Sequence, residues 1–165
     1  KKNSWCLSSI WTKHIKMTLD VLIDDEFLIS EDLIESLKAA ADLTLSEESS
    51  INSIVNLRIL SDIEMQQLNK EFRNKNRTTN VLSFTNNDLS RELTNNIGDI
   101  AISYDYVSSE AKENGKSFSD HIIHMLVHGI YHILGYDHED NISAEIMESK
   151  EIDILAKLNI DNPYN

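Results

Sequence analysis

Between Ser119 and Leu134 the chain has an apolar-rich run, long enough for a helix and stopped by Gly135. It carries four of the six histidines, at positions 121, 124, 128 and 132. Residues four apart on a helix are offset by only about 40° around the axis. His128 and His132 therefore share one face, a turn apart, and two imidazoles at that spacing grip one metal ion. Glycine accepts a left-handed backbone cheaply, so Gly135 lets the chain leave the helix sharply. The turn at Tyr136 and Asp137 then brings His138 back as a third ligand. Three nitrogen ligands leave a tetrahedral metal one open position, as in catalytic sites. Zinc held this way lowers the pKa of its water toward ~7.

A lone histidine on an amphipathic helix is ordinarily a packed or surface residue. Three at H-x3-H-x5-H, with a glycine placed to turn the chain, are not accounted for that way. His124 lies on the same face as His128, but no spacing rule requires it as a ligand, so it is expected to pack in the core or support a ligand. His121 and His14 are expected at the surface.

The rest of the chain limits what surrounds this helix. A length of 165 residues suits one domain with a real core. Only four Gly and one Pro argue against linkers and low complexity. A net charge of −13 excludes a generic polyanion binder, so any nucleic-acid site must be a local basic patch. Cys6, the one cysteine, has no partner for an internal disulfide or a thiolate metal site, and the expected setting is reducing and cytoplasmic. No apolar run reaches membrane-spanning length. Residues 1–16 hold four lysines and no acid. They are read as a dispensable extension, with Met17 as a natural start and 17–165 as the domain.

Periodicity and capping residues predict the elements. Leu19, Val21 and Ile23 alternate as a strand, and Ser30 caps a helix to about Ala41. Residues 51–60 form a strand, and Ser61 with Glu64 starts a helix to about Phe72. Strands follow at Val81–Thr85 and Ile97–Ser103, joined by a polar loop. Helices cover 104–113, 119–134 and 143–158, the last with Ile146, Met147, Ile154, Leu155 and Leu158 inward. The fold class is α+β: one domain with a small mixed sheet of about four strands under about five helices, its metal site on a helix and the following turn.

The histidine spacing is also that of metzincin proteases, which place Glu after the first histidine as general base. Here that residue is Gly129, so peptide hydrolysis loses its proton acceptor. The run from His128 through Gly129, His132, Gly135, Tyr136 and Asp137 to His138 instead resembles the signature of the YbeY family of bacterial endoribonucleases. A second block is similar as well: Leu68 and Asn69, Phe72 and Arg73, then Thr79, Asn80, Val81, Leu82, Ser83 and Phe84. Gly98, Asp99 and Ile100 match a third element, and Asn162, Pro163 and Tyr164 resemble the family's C-terminal end. The likeness spans roughly 17–164. Thr78 and Thr85 stand where the family usually has proline, a departure expected to loosen the flanking loops.

This resemblance implies a single-strand-specific, metal-dependent endoribonuclease acting in 16S rRNA 3′-end maturation and ribosome quality control. Its partners would be ribosomal RNA, the small subunit and assembly proteins. It implies one zinc on His128, His132 and His138, with Arg73 near the metal holding a phosphate or stabilising developing charge. Independently, Lys70, Arg73, Lys75 and Arg77 cluster around one acid, Glu71, on an acidic chain. Such a run is often only a solvated face; beside a metal, Arg73, Lys75 and Arg77 would bind a phosphodiester backbone. No general acid is evident, though Asp99 or Asp137 would be in a position to assist. Two other readings stay open: a non-hydrolytic ribosome-assembly factor with a structural metal, and a metalloprotease with another base.

Overall fold

A computed structural model describes residues 18–165. The expected extension at 1–16, with Cys6 and His14, and the start at Met17 lie outside the described residues.

The elements run β1 (Leu19–Ile23), α1 (Glu31–Glu47), β2 (Ile54–Leu60), α2 (Asp62–Arg73), β3 (Val81–Thr85), α3 (Ser90–Thr94), β4 (Asn96–Ser103), α4 (Tyr104–Glu113), α5 (Phe118–Ile133) and α6 (Asn141–Lys157). The strand order is β1-β2-β4-β3. β1, β2 and β4 are parallel, and β3 joins β4 antiparallel as an edge strand. This is the mixed, four-stranded α+β arrangement expected.

Val55, Leu57 and Ile59 of β2, with Ile100 and Ile102 of β4, belong to the larger core shared with α1 and α5. Leu60, Leu82 and Ala101 meet Met65 of α2 in a smaller cluster. α5 lies at the centre, packed against α1, α4, α6, β3 and β4. Its β-branched residues and Gly129 are mediocre helix formers, costing up to ~1 kcal/mol each. Burial of Ile122, Leu126, Val127 and Ile130 outweighs this, at roughly 1.5–3 kcal/mol per side chain.

Several boundaries differ from expectation. α1 continues past Ala41 to Glu47, because Ala40, Ala41, Thr44 and Leu45 extend its buried stripe. Thr44 also ties its hydroxyl to the Ala40 carbonyl at 2.8 Å. Residues 51–52 form a turn, so β2 begins at Ile54. The polar loop after β3 contains the short helix α3, the sixth helix among the described residues. On α6, Met147, Ile154 and Leu155 are buried and Leu158 is partly so, but Ile146 points outward at 49% exposure. The inward place goes to Glu151, which is fully buried.

Candidate metal centre and its cleft

Ser117 caps α5 by accepting from the Asp120 N–H, and Gly135 ends it in a left-handed conformation (φ +95°). The Tyr136 N–H then closes on the Tyr131 carbonyl at 3.0 Å. Tyr136 is held from two sides. Its hydroxyl donates to Glu48, which caps the end of α1, at 2.8 Å, and Lys150 of α6 reaches the same carboxylate at 2.7 Å. Burial pushes the Glu48 carboxyl up, but hydrogen bonds from Lys150 and Tyr136 leave it below its ordinary value. Asp137 accepts from the backbone N–H of His138 at 2.6 Å and thereby shapes the turn. The potential ligand atoms of His128, His132 and His138 all lie within 4.8 Å of one another.

Each helical imidazole has its far nitrogen committed. His132 Nδ1–H donates to the Tyr136 carbonyl at 3.1 Å, and a carbonyl can only accept. His128 Nδ1 faces Glu151 Oε1 at 2.9 Å. Burial would raise the Glu151 carboxyl, but bonds from His124, His128 and Tyr164 hold it down at about 2, so it is an ionised acceptor. The two Nε2 atoms face each other 3.0 Å apart. A carboxylate or carbonyl supporting the far nitrogen is the usual dressing of a metal-bound imidazole. Burial and the neighbouring His128 lower the His132 pKa, keeping it the neutral ligand metal binding requires. The donor set fits a borderline divalent metal such as zinc.

Glu151 was not identified from the sequence. A carboxylate at the inward position between Met147 and Leu155 on an apolar stripe was the available signal. It also accepts from His124 Nε2 at 2.8 Å and from the Tyr164 hydroxyl at 2.6 Å. His124 is thus a supporting residue, as expected. His121 corrects the expectation of a surface histidine: it is 4% exposed, 2.7 Å from Glu110 Oε2. Glu110 in turn accepts from Asn80 at 3.1 Å, so His121 lies inside a polar link between α5, α4 and the residue that precedes β3.

A cleft of about 660 Å³ is lined by the three histidines together with Arg73, Lys75, Arg77, Ser83 and Thr85. Asn69, 3% exposed, builds the turn that presents Lys75 and Arg77. It accepts the Lys75 N–H at 3.1 Å through its carbonyl and donates its amide to the Arg77 carbonyl at 2.7 Å. Arg73 donates to the Ser83 carbonyl at 3.1 Å. Lys70 is exposed on α2 and does not line this cleft. Asp99 lies in a separate groove with Asn56, Phe84 and Asn86, bonded to Asn56 at 2.6 Å, and so does not reach the histidines. Thr78, in place of proline, bonds Asp62 at 3.4 Å. A Cβ on Gly129 would meet Ile100 Cδ1 at 2.9 Å and Ser83 Oγ at 3.0 Å. The position where a metzincin carries its base is closed by the sheet.

A family model described as Endoribonuclease YbeY matches residues 22–159. The chain belongs to the YbeY endoribonuclease family. Endoribonuclease YbeY of Francisella philomiragia is 42% identical over 153 residues, covering 90% of this chain and 95% of that relative. Endoribonuclease YbeY of Alteromonas mediterranea is 46% identical over 125 residues, covering 76% of this chain and 79% of the relative. A solution structure of a protein from Thermotoga maritima superposes with a TM-score of 0.57 at 24% identity, covering 86% of this chain and 91% of that one. That likeness establishes a shared fold. The matched YbeY region contains all three histidines and the Arg73 block.

Proposed function

We propose that the chain is a zinc-dependent endoribonuclease that cleaves single-stranded RNA, with residues 17–165 as its functional domain. The observation that carries this reading is the cleft. Arg73, Lys75 and Arg77 line it together with His128, His132 and His138 on a protein that is otherwise strongly acidic. A local cationic patch sharing a cleft with a metal site would suit a phosphodiester, whose oxygens only accept hydrogen bonds and carry charge. The names of the relatives favour the same substrate class. Maturation of the 16S rRNA 3′ end, contact with the small subunit and its assembly proteins, and a cytoplasmic location extend this reading from the family likeness.

When bound, zinc would supply Lewis-acid polarisation of the phosphoryl group and a lowered water pKa. Glu151 and the Tyr136 carbonyl hold His128 and His132 in the tautomers that direct Nε2 to the site. Arg73 stabilises charge developing on the phosphoryl oxygens, while Lys75 and Arg77 hold flanking phosphates. Gly129 and its blocked Cβ position disfavour a protease that needs a base there.

Purified protein with its metal content determined should cut a labelled single-stranded RNA and leave a duplex and casein intact. His128→Ala and His132→Ala should abolish cutting. Wild-type rates in those variants would refute the proposal. Persistent folding with loss of cutting after chelation separates it from an assembly factor with a structural metal.

A further inference from the structure

β3 is one of the two edge strands of the sheet, and the cleft runs along it, with Val81, Ser83 and Thr85 in its wall. Backbone bonding alternates along an antiparallel strand. The Ser103 N–H donates to the Asn80 carbonyl, and the Asn86 N–H donates to the Ile97 carbonyl. In the register Val81↔Ile102 to Thr85↔Gly98, this assigns the even-numbered residues to bonds with β4. The N–H and C=O groups of Val81, Ser83 and Thr85 therefore point outward from the sheet edge.

Two of these three positions are half closed by the chain itself. The Val81 N–H donates to Asn80 Oδ1 at 2.8 Å, and the Ser83 carbonyl accepts from Arg73 at 3.1 Å. A peptide adding a strand exchanges N–H and C=O with one and the same edge residue. At Val81 and at Ser83 one member of that pair is taken. Beside the guanidinium, the edge retains the N–H groups of Ser83 and Thr85, about 6.6 Å apart along the strand.

We propose that this edge is a phosphate-binding rail, on which the Ser83 and Thr85 N–H groups donate to backbone oxygens of the RNA next to the metal site; the Thr85 donor is particular to this chain, since the proline usual in the family at that position has no N–H. Arg73 then has two effects: it closes the edge to peptides and adds charge for phosphate. The outward carbonyls of Val81 and Thr85 suit the ribose 2′-hydroxyl, which donates. The inference rests on the reading of the cleft as an RNA site.

Proline removes an N–H and is tolerated at an edge position whose N–H faces outward. Steady-state cleavage of a labelled single-stranded oligoribonucleotide by the metal-loaded full chain is therefore compared for Thr85→Pro and Thr85→Ala, the latter keeping the N–H. Thr85→Pro should raise KM about tenfold over Thr85→Ala. It should leave the dependence of log KM on log salt as in the wild type, since no cation is lost. Arg73→Ala should reduce that slope by about one. Ser83→Pro, checked for folding by thermal unfolding, is the second variant and should act in the same direction. Equal KM for Thr85→Pro and Thr85→Ala would overturn the rail while wild-type cleavage leaves the endoribonuclease reading standing. A metal-loaded wild type that cuts no RNA would overturn that reading and the rail with it.

Discussion

Glu151 Oε1 stands 2.9 Å from His128 Nδ1, with the carboxylate fully buried between α5 and α6. This contact orients the His128 ring and links the candidate metal site to the last helix. Its other oxygen receives His124 and Tyr164, so one acid organises three side chains.

Glu151→Ala should therefore weaken both metal binding and the fold. Loss of such a supporting carboxylate typically costs 10–100-fold in metal affinity. Removing one partner of a buried charged network costs about 3–5 kcal/mol of stability. Chelator competition measures the first and urea unfolding the second; Glu151→Gln should be milder in both.

The same carboxyl gives a pH signature. Its folded pKa is about 2, against an ordinary 4.5. A depressed acid contributes stability that is fully present above the ordinary value and lost as pH falls toward the folded one. Urea midpoints should therefore drop between about pH 4.5 and about pH 2, and Glu151→Gln should flatten that drop. An unchanged pH profile in the variant would sink the assignment.

Gly129→Ala should destabilise by roughly 1–3 kcal/mol, because the new methyl presses on Ile100 and Ser83. Gly129→Glu should be worse, since its carboxylate would enter that packed contact. It should also gain no activity on casein; thermal unfolding and a casein digest read the two outcomes.

Arg73→Ala should slow RNA cleavage by roughly 10²–10³-fold if the guanidinium stabilises developing charge, with little change in melting temperature because the side chain is exposed. Arg73→Lys should restore little, since an ammonium cannot hold the Ser83 carbonyl and a phosphate in one planar fork. Single-turnover rates on labelled RNA test this.

The histidine triad was legible because its signal is local: His128 and His132 repeat with the helical period, and Gly135 marks the turn to His138. The strands and capped helices were legible for the same reason, down to Ser61 before α2 and Ser30 before α1. Errors fell where packing overrides local pattern. His121 looked like a surface residue until Glu110 of α4 reached it, and Ile146 looked buried because α6 has apolar residues on more than one face. α3 had no apolar period to reveal it.

What the sequence by itself determined was the family, the element order apart from α3, and the three histidines, all encoded in short-range spacing. Tertiary structure decided the rest. It brought Glu151 from α6 to His128, carried the Asn69-shaped turn to the histidine cleft, and packed Gly129 against β4 so that no side chain fits. It also left β3 as a free edge beside the site. Hydrogen-bond partners and desolvation depend on residues distant in sequence, and periodicity along one helix carries no information about them.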